Sequence, residues 1–166
     1  ETEDFGSGNN YQREQPNHLL INYCIGNIDA WLRTDPNPHI AEQLSLTDWI
    51  AKYCDSEQEV LPTDFASRAL VGCYLQDVLM QIIKAKGEHI HLSLITGAVE
   101  EVSYADEFQI RLANRAETYV ADVLLMSTGH CYHNEAPFPG NSPANYLPSA
   151  YPVRRLNQIP AAVPVA

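Results

Sequence analysis

A chain of 166 residues that is 45% hydrophobic and 19% charged is long enough to bury a substantial core and is expected to form a single domain over residues 1–166. Its formal net charge of −11 argues against nucleic acid or an anionic membrane as partner, because both are polyanions that would repel it. No apolar run approaches the roughly 20 residues a membrane helix needs. The opening Glu1-Thr-Glu-Asp4 resembles neither a signal nor a transit peptide, and with no initiating Met the chain is expected to be processed, trimmed or a fragment. Cys24, Cys54, Cys73 and Cys131 are widely spaced without a CxxC pair, so reduced thiols in a cytoplasmic protein are expected, not a disulfide framework.

In chain order, residues 1–18 are polar and turn-rich, with Gly6-Ser-Gly-Asn-Asn10 and Gln15-Pro-Asn-His18, and read as an exposed loop that could stand over a ligand. Leu19–Tyr23 reads as a short strand followed by a turn at Gly26-Asn27, and Asp35-Pro-Asn-Pro38 breaks the chain again. Thr47 or Ser45 should start a short helix through Tyr53, with Trp49 and Ile50 turned inward; Trp31 and Trp49 are core candidates.

Residues 68–86 carry the clearest signal. Leu70/Val71, Tyr74/Leu75, Val78/Leu79 and Ile82/Ile83 recur every four residues, as one face of a helix requires. Ser67 is placed to cap its N-terminus, Lys84 and Lys86 suit the negative end of its dipole, and Gly87 offers a left-handed stop. Cys73 falls within this helix as a buried free thiol. Leu75 and Leu79 are expected to be fully buried, with the helix packed on strands at Ile90–Ile95 and Val123–Met126.

His89–Ile95 alternates apolar and polar residues and reads as a strand whose exposed side carries His89 and His91. Ala98–Ser103, Glu107–Leu112 and Thr118–Ala121 follow as a three-stranded β-meander turning at Asp106 and near Asn114. Val123–Met126 then reads as a buried parallel strand ending in the small-residue turn Ser127-Thr-Gly129. In parallel α/β sheets such turns lie at the carboxyl ends of strands, where ligands bind. Residues 131–166 are Pro- and Asn-rich and read as loop. The expected class is therefore α/β, with parallel strands, one long helix and a β-meander as the crossover.

Four stretches carry a family resemblance: Asn17-His-Leu-Leu-Ile-Asn22, Phe65-Ala-Ser-Arg-Ala-Leu-Val-Gly-Cys-Tyr-Leu75, Gly97-Ala-Val-Glu-Glu-Val102 and Ala121-Asp-Val-Leu-Leu-Met-Ser-Thr-Gly-His130. Together they resemble flavoproteins with FAD- and NAD(P)-binding domains, the group related to N-hydroxylating and flavin-dependent monooxygenases. The second stretch looks like that group's F-x-x-R-x-x-x-G-x-Y-L helix start. The last looks like its A-D-x-x-x-x-A-T-G-H strand, with Ser127 in place of alanine. The resemblance implies a partial Rossmann-like domain that binds FAD and uses NAD(P)H as hydride donor toward a small-molecule substrate. No GxGxxG occurs in the 166 residues, so it also implies a fragment that by itself binds FAD weakly.

The resemblance assigns cofactor contacts to Ser127, Thr128 and Gly129, to Val99 through its backbone, to Arg68 and to Asn22. Each has a structural alternative. Gly129 could end a strand that needs φ > 0, and Val99 could be core. Arg68 could hold a loop or be a surface residue, and Asn22 could cap a turn. His130-Cys131-Tyr132-His133 matches no zinc spacing, so no metal is expected there. No residue of the chain stands out as catalytic, which suits chemistry performed by a cofactor. Two alternatives are a non-catalytic, degenerate nucleotide-binding module for protein association and, more weakly, a Cys- or Ser-dependent hydrolase, for which no GxSxG elbow is present.

Overall fold

Ser45 starts the first helix, α1 (Leu46–Tyr53), by accepting the Asp48 N–H on its Oγ at 3.2 Å. This settles the choice between Ser45 and Thr47. Asp48 in the first turn and Lys52 in the last complement the helix dipole. The computed structural model describes residues 5–55 and 59–129. No helix among the described residues is long and apolar enough to cross a membrane.

Helix α2 (Arg68–Ala85) is capped by Ser67, whose Oγ accepts the Leu70 N–H at 3.2 Å. Its far end departs from expectation. Lys86 leaves the helix in an extended conformation (φ −58°, ψ 138°), and Gly87 is not among the positive-φ glycines. An extended residue already ends the i→i−4 ladder, so no left-handed stop is needed. The chain then turns on the Ile90 N–H to Gly87 C=O bond (2.9 Å), with Lys86 Nζ donating to Ile90 O (2.9 Å).

Val71, Tyr74 and Val78 of α2 meet Ile21, Ile25, Leu46, Trp49, Ile50 and Ala66 in the core. Trp49 is buried, Trp31 is half-buried against the cluster, and Trp31 Nε1 donates to Leu44 O at 3.0 Å. Leu75 and Leu79, expected to be fully buried, are only half-buried. Leu75 still packs against the edge of the core cluster, while the Leu79 side chain lies under Gly6 of the N-terminal segment.

Leu19–Tyr23 does not form a regular strand. Its pairing is the single bridge Leu20–Ser67, extended by bonds from Gly26 N–H to Pro62 O, Ile25 N–H to Asp64 O, Ile21 N–H to Ala66 O and Arg68 N–H to Leu19 O (2.8–3.0 Å). Pro62 has no N–H to return, so a complete ladder cannot propagate through it. Within residues 5–18, expected as an exposed loop, Ser7 and Gln15 are buried.

The meander is present. Strands β1 (Val99–Tyr104), β2 (Phe108–Leu112) and β3 (Thr118–Ala121) form an antiparallel sheet in that order. Its register pairs Val102 with Ile110 and Tyr104 with Phe108, giving one apolar face, while Glu101, Arg111, Ser103 and Gln109 form the polar one. Arg111 bridges Glu100 and Glu101 there, at 2.8 and 2.7 Å. The second hairpin turns through Asn114 at φ +59°. Asparagine tolerates this left-handed conformation, so Asn114→Val is expected to cost about 1–2 kcal/mol and Asn114→Gly much less, measurable by thermal unfolding.

Two expected strands are corrected. Neither His89–Ile95 nor Val123–Met126 is a strand, and the described residues contain one sheet, which is antiparallel. Val123, Leu125 and Met126 are 83%, 86% and 71% exposed, not buried. Burying a parallel strand takes hydrogen-bonded neighbours on both edges and helices over its faces. The apolar faces of α2 are already occupied, one by the core around α1 and the other by the N-terminal segment, so the expected packing of α2 on these two runs does not form.

Candidate functional site

The apolar face of the meander looks onto a cleft of about 570 Å³. Val99 and Val102 of β1 and Ile110 of β2 line one side, together with Ile95, Gly97 and Ala98 before the sheet. The run Leu124–Thr128, which has no regular secondary structure, lines a second side. Phe5, Gly6 and Gly8 of the N-terminal segment close the third. Arg115 Nη2 donates to Thr96 O at 2.8 Å and so ties the approach to β1 to the second hairpin.

Of the six residues singled out by sequence, this cleft brings together Ser127, Thr128 and Val99. Gly129 follows directly at φ +69°, with open space where a Cβ would stand. The conformational demand anticipated for Gly129 is therefore real, even though no strand precedes it. Arg68 and Asn22 do not line the cleft. The Arg68 backbone N–H bonds to Leu19 O at 2.8 Å and its Nε to Leu20 O at 3.4 Å, so this residue holds the loop that carries Asn22. Asn22 itself is exposed in a bend of that loop.

The N-terminal wall was only half legible. The turn-rich Gly6-Ser-Gly8 reads as a loop that could stand over a ligand, but no local signal marks Phe5 and the glycine backbone as the wall of a particular cleft. Gly8 has φ +62° and ψ −175°, a conformation open essentially to glycine alone, and a Cβ there would meet nothing within 4 Å. A ligand can therefore approach this backbone closely.

No charged side chain belongs to the lining among the described residues. Its polar groups are the Ser127 and Thr128 hydroxyls and backbone amides and carbonyls; the rest is apolar. Such a site suits an uncharged, largely apolar ligand group with a few polar atoms to meet these hydroxyls and amides.

The cysteines lie elsewhere. Cys24, Cys54 and Cys73 are free and half-buried, and Cys54 and Cys73 pack against the core. Burial, reinforced by Cys73 and Asp55, pushes the Cys54 thiol above its ordinary pKa. That is the opposite of what a nucleophilic thiolate needs. Alkylation of Cys54 by iodoacetamide is expected to be slower than that of a free thiol at pH 8 and to accelerate only at higher pH. The same shift means the native state keeps a proton that the unfolded chain releases, so its contribution to stability is present at neutral pH and lost as pH rises past the ordinary thiol range. His130–His133 and Cys131 lie outside the described residues; among the described residues no cluster of His, Cys, Asp and Glu could hold a metal ion.

A family model described as FAD-NAD(P)-binding matches residues 1–131, a span that includes every wall of the cleft. A search of the curated proteins found no match. With four-fifths of its length matched, the chain belongs to the FAD-NAD(P)-binding family.

Proposed function

We propose that the cleft takes the adenosine half of FAD, and that the protein is a flavin-dependent oxidoreductase of the monooxygenase-related type acting on a small-molecule substrate. The observation that supports this most is the meeting of Val99, Ser127 and Thr128 around one uncharged cleft next to a positive-φ glycine. A dinucleotide's pyrophosphate carries two negative charges and calls for a helix N-terminus or cations. Its adenosine end is uncharged, which is what these walls accommodate.

Each group has a role in that reading. Val99, Val102 and Ile110 give the ring an apolar surface, and the backbone at Val99 meets its polar edge. The Ser127 and Thr128 hydroxyls are the partners for ribose oxygens. Gly129 and Gly8 leave room for backbone to approach. FAD, when bound, supplies the redox chemistry, with NAD(P)H as the hydride donor. The chain's own residues bind and orient it, and the apolar walls exclude water from the adenosine.

Equilibrium dialysis of the purified natural polypeptide against FAD, NADH and NADPH tests the reading. FAD is expected to bind stoichiometrically, adenosine to compete with it, and Gly129→Val to reduce loading by at least about tenfold. A branched side chain at φ +69° both strains the turn and fills the space beside it. Binding of NADPH without FAD would transfer the site to the nicotinamide dinucleotide. No binding of any of the three would overturn the dinucleotide reading and favour a module for protein association.

A further inference from the structure

Helix α2 carries a second face beside its core face. Gly72, Leu75, Gln76 and Leu79 follow the i, i+3, i+4, i+7 spacing of one helical stripe, and all four meet the N-terminal segment. A Cβ on Gly72 would stand 1.7 Å from the Tyr11 carbonyl oxygen and 2.9 Å from its carbon. Gln76 Nε2 donates to the buried Ser7 Oγ at 3.5 Å. Gly6, at φ +96°, rests on Leu75 O and on the Leu79 side chain, its own missing Cβ 3.2–3.3 Å from them. The same segment presents Phe5, Gly6 and Gly8 to the cleft.

We infer that Gly72 is a positioning residue for the cleft: by letting the Tyr11 backbone lie directly on α2, it fixes where the Phe5–Gly8 wall stands relative to Ser127 and Thr128. Glycine weakens a helix interior compared with alanine, so its place in the second turn of an 18-residue helix is accounted for by this close approach. The approach is between two backbones, which cannot turn aside as a flexible side chain would. Any side chain at position 72 must lift Tyr11 from the helix, and the Phe5–Gly8 wall just before it in the chain moves with it. Val71, Tyr74 and Val78 point to the core and take no part in this coupling.

This inference rests on the dinucleotide reading for its ligand, and its test has two separate readouts in the natural polypeptide. In Gly72→Ala, hydrogen exchange of the Ser7–Tyr11 amides is expected to accelerate while those in the middle of α2 stay protected, and FAD affinity to fall by about tenfold or more. Val78→Ala destabilises the core face of the same helix and is expected to leave both FAD affinity and Ser7–Tyr11 exchange near wild type. Leu79→Ala, which removes the side chain under Gly6 without adding an atom, keeps the test decisive if Gly72→Ala does not fold; it is expected to loosen the loop and weaken FAD binding to a smaller degree. Unchanged loop exchange in a folded Gly72→Ala protein would overturn the inference, as would a loosened loop with FAD affinity intact, or an equal loss in Val78→Ala. Absence of FAD binding by the wild-type protein would overturn the dinucleotide reading instead, and the coupling of α2 to the loop would stand or fall on the exchange data.

Discussion

Replacing Tyr74 by alanine is expected to destabilise the protein by about 3–5 kcal/mol, the range for removing a buried aromatic side chain. Tyr74 is 0% exposed, at the centre of the core, with the Trp49 ring edge-on at a centroid distance of 5.9 Å. Its hydroxyl does further work: it donates to Leu44 O at 2.9 Å and accepts the Ala30 N–H at 3.0 Å. The milder Tyr74→Phe keeps the ring and separates the two effects. It leaves the Ala30 N–H without its partner, whereas Leu44 O keeps the bond from Trp31 Nε1. One stranded donor in a partly buried site is expected to cost about 1–3 kcal/mol. Burial holds the phenol above its ordinary pKa, so the wild-type protein is expected to lose stability as pH rises through the usual tyrosine range, and Tyr74→Phe to lose less. Urea denaturation of the three proteins checks the order wild type, Phe, Ala; equal stability of wild type and Tyr74→Phe would remove the role assigned to the hydroxyl.

Leu46→Ala is expected to have the next largest effect, about 2–5 kcal/mol. Leu46 is also 0% exposed, and it opens α1 while its N–H donates to Ile28 O at 3.0 Å. Deleting its side chain leaves a cavity between α1 and the Ile25–Asn27 turn that rigid neighbours, Ile25 and Trp49 among them, cannot readily fill. Leu79→Ala is expected to cost clearly less, because Leu79 is half-buried and the loop above it can settle. The difference between the two midpoints in urea, at unchanged slope, is the measurement; a larger loss for Leu79 would place the main core on the wrong face of α2.

Helix α2 and the meander were legible in the sequence because each depends on short-range signals. A Ser cap with a four-residue apolar recurrence specifies a helix whatever surrounds it, and alternation between turn residues specifies hairpins that close locally. For the same reason Gly129 was identifiable as a position needing positive φ. The Gly72 and Tyr74 of the G-x-Y motif were visible as letters without their physical meaning: one admits a backbone, the other bonds across the core.

Local pattern could not decide what the apolar runs pack against. His89–Ile95 and Val123–Met126 have the composition of strands, but strand formation requires a hydrogen-bonded neighbour, which is a property of the whole chain's arrangement and not of the run itself. Likewise the periodicity of α2 gave apolar positions without assigning its two faces, one to the core and one to the segment that walls the cleft. The sequence by itself determined the two α-helices, the meander and the family. The tertiary structure decided that Val99, Ser127 and Thr128 share a cleft with Phe5, Gly6 and Gly8 while Arg68 and Asn22 stay outside it, because contacts between residues far apart in the chain are set by packing and backbone approach, which no local pattern encodes.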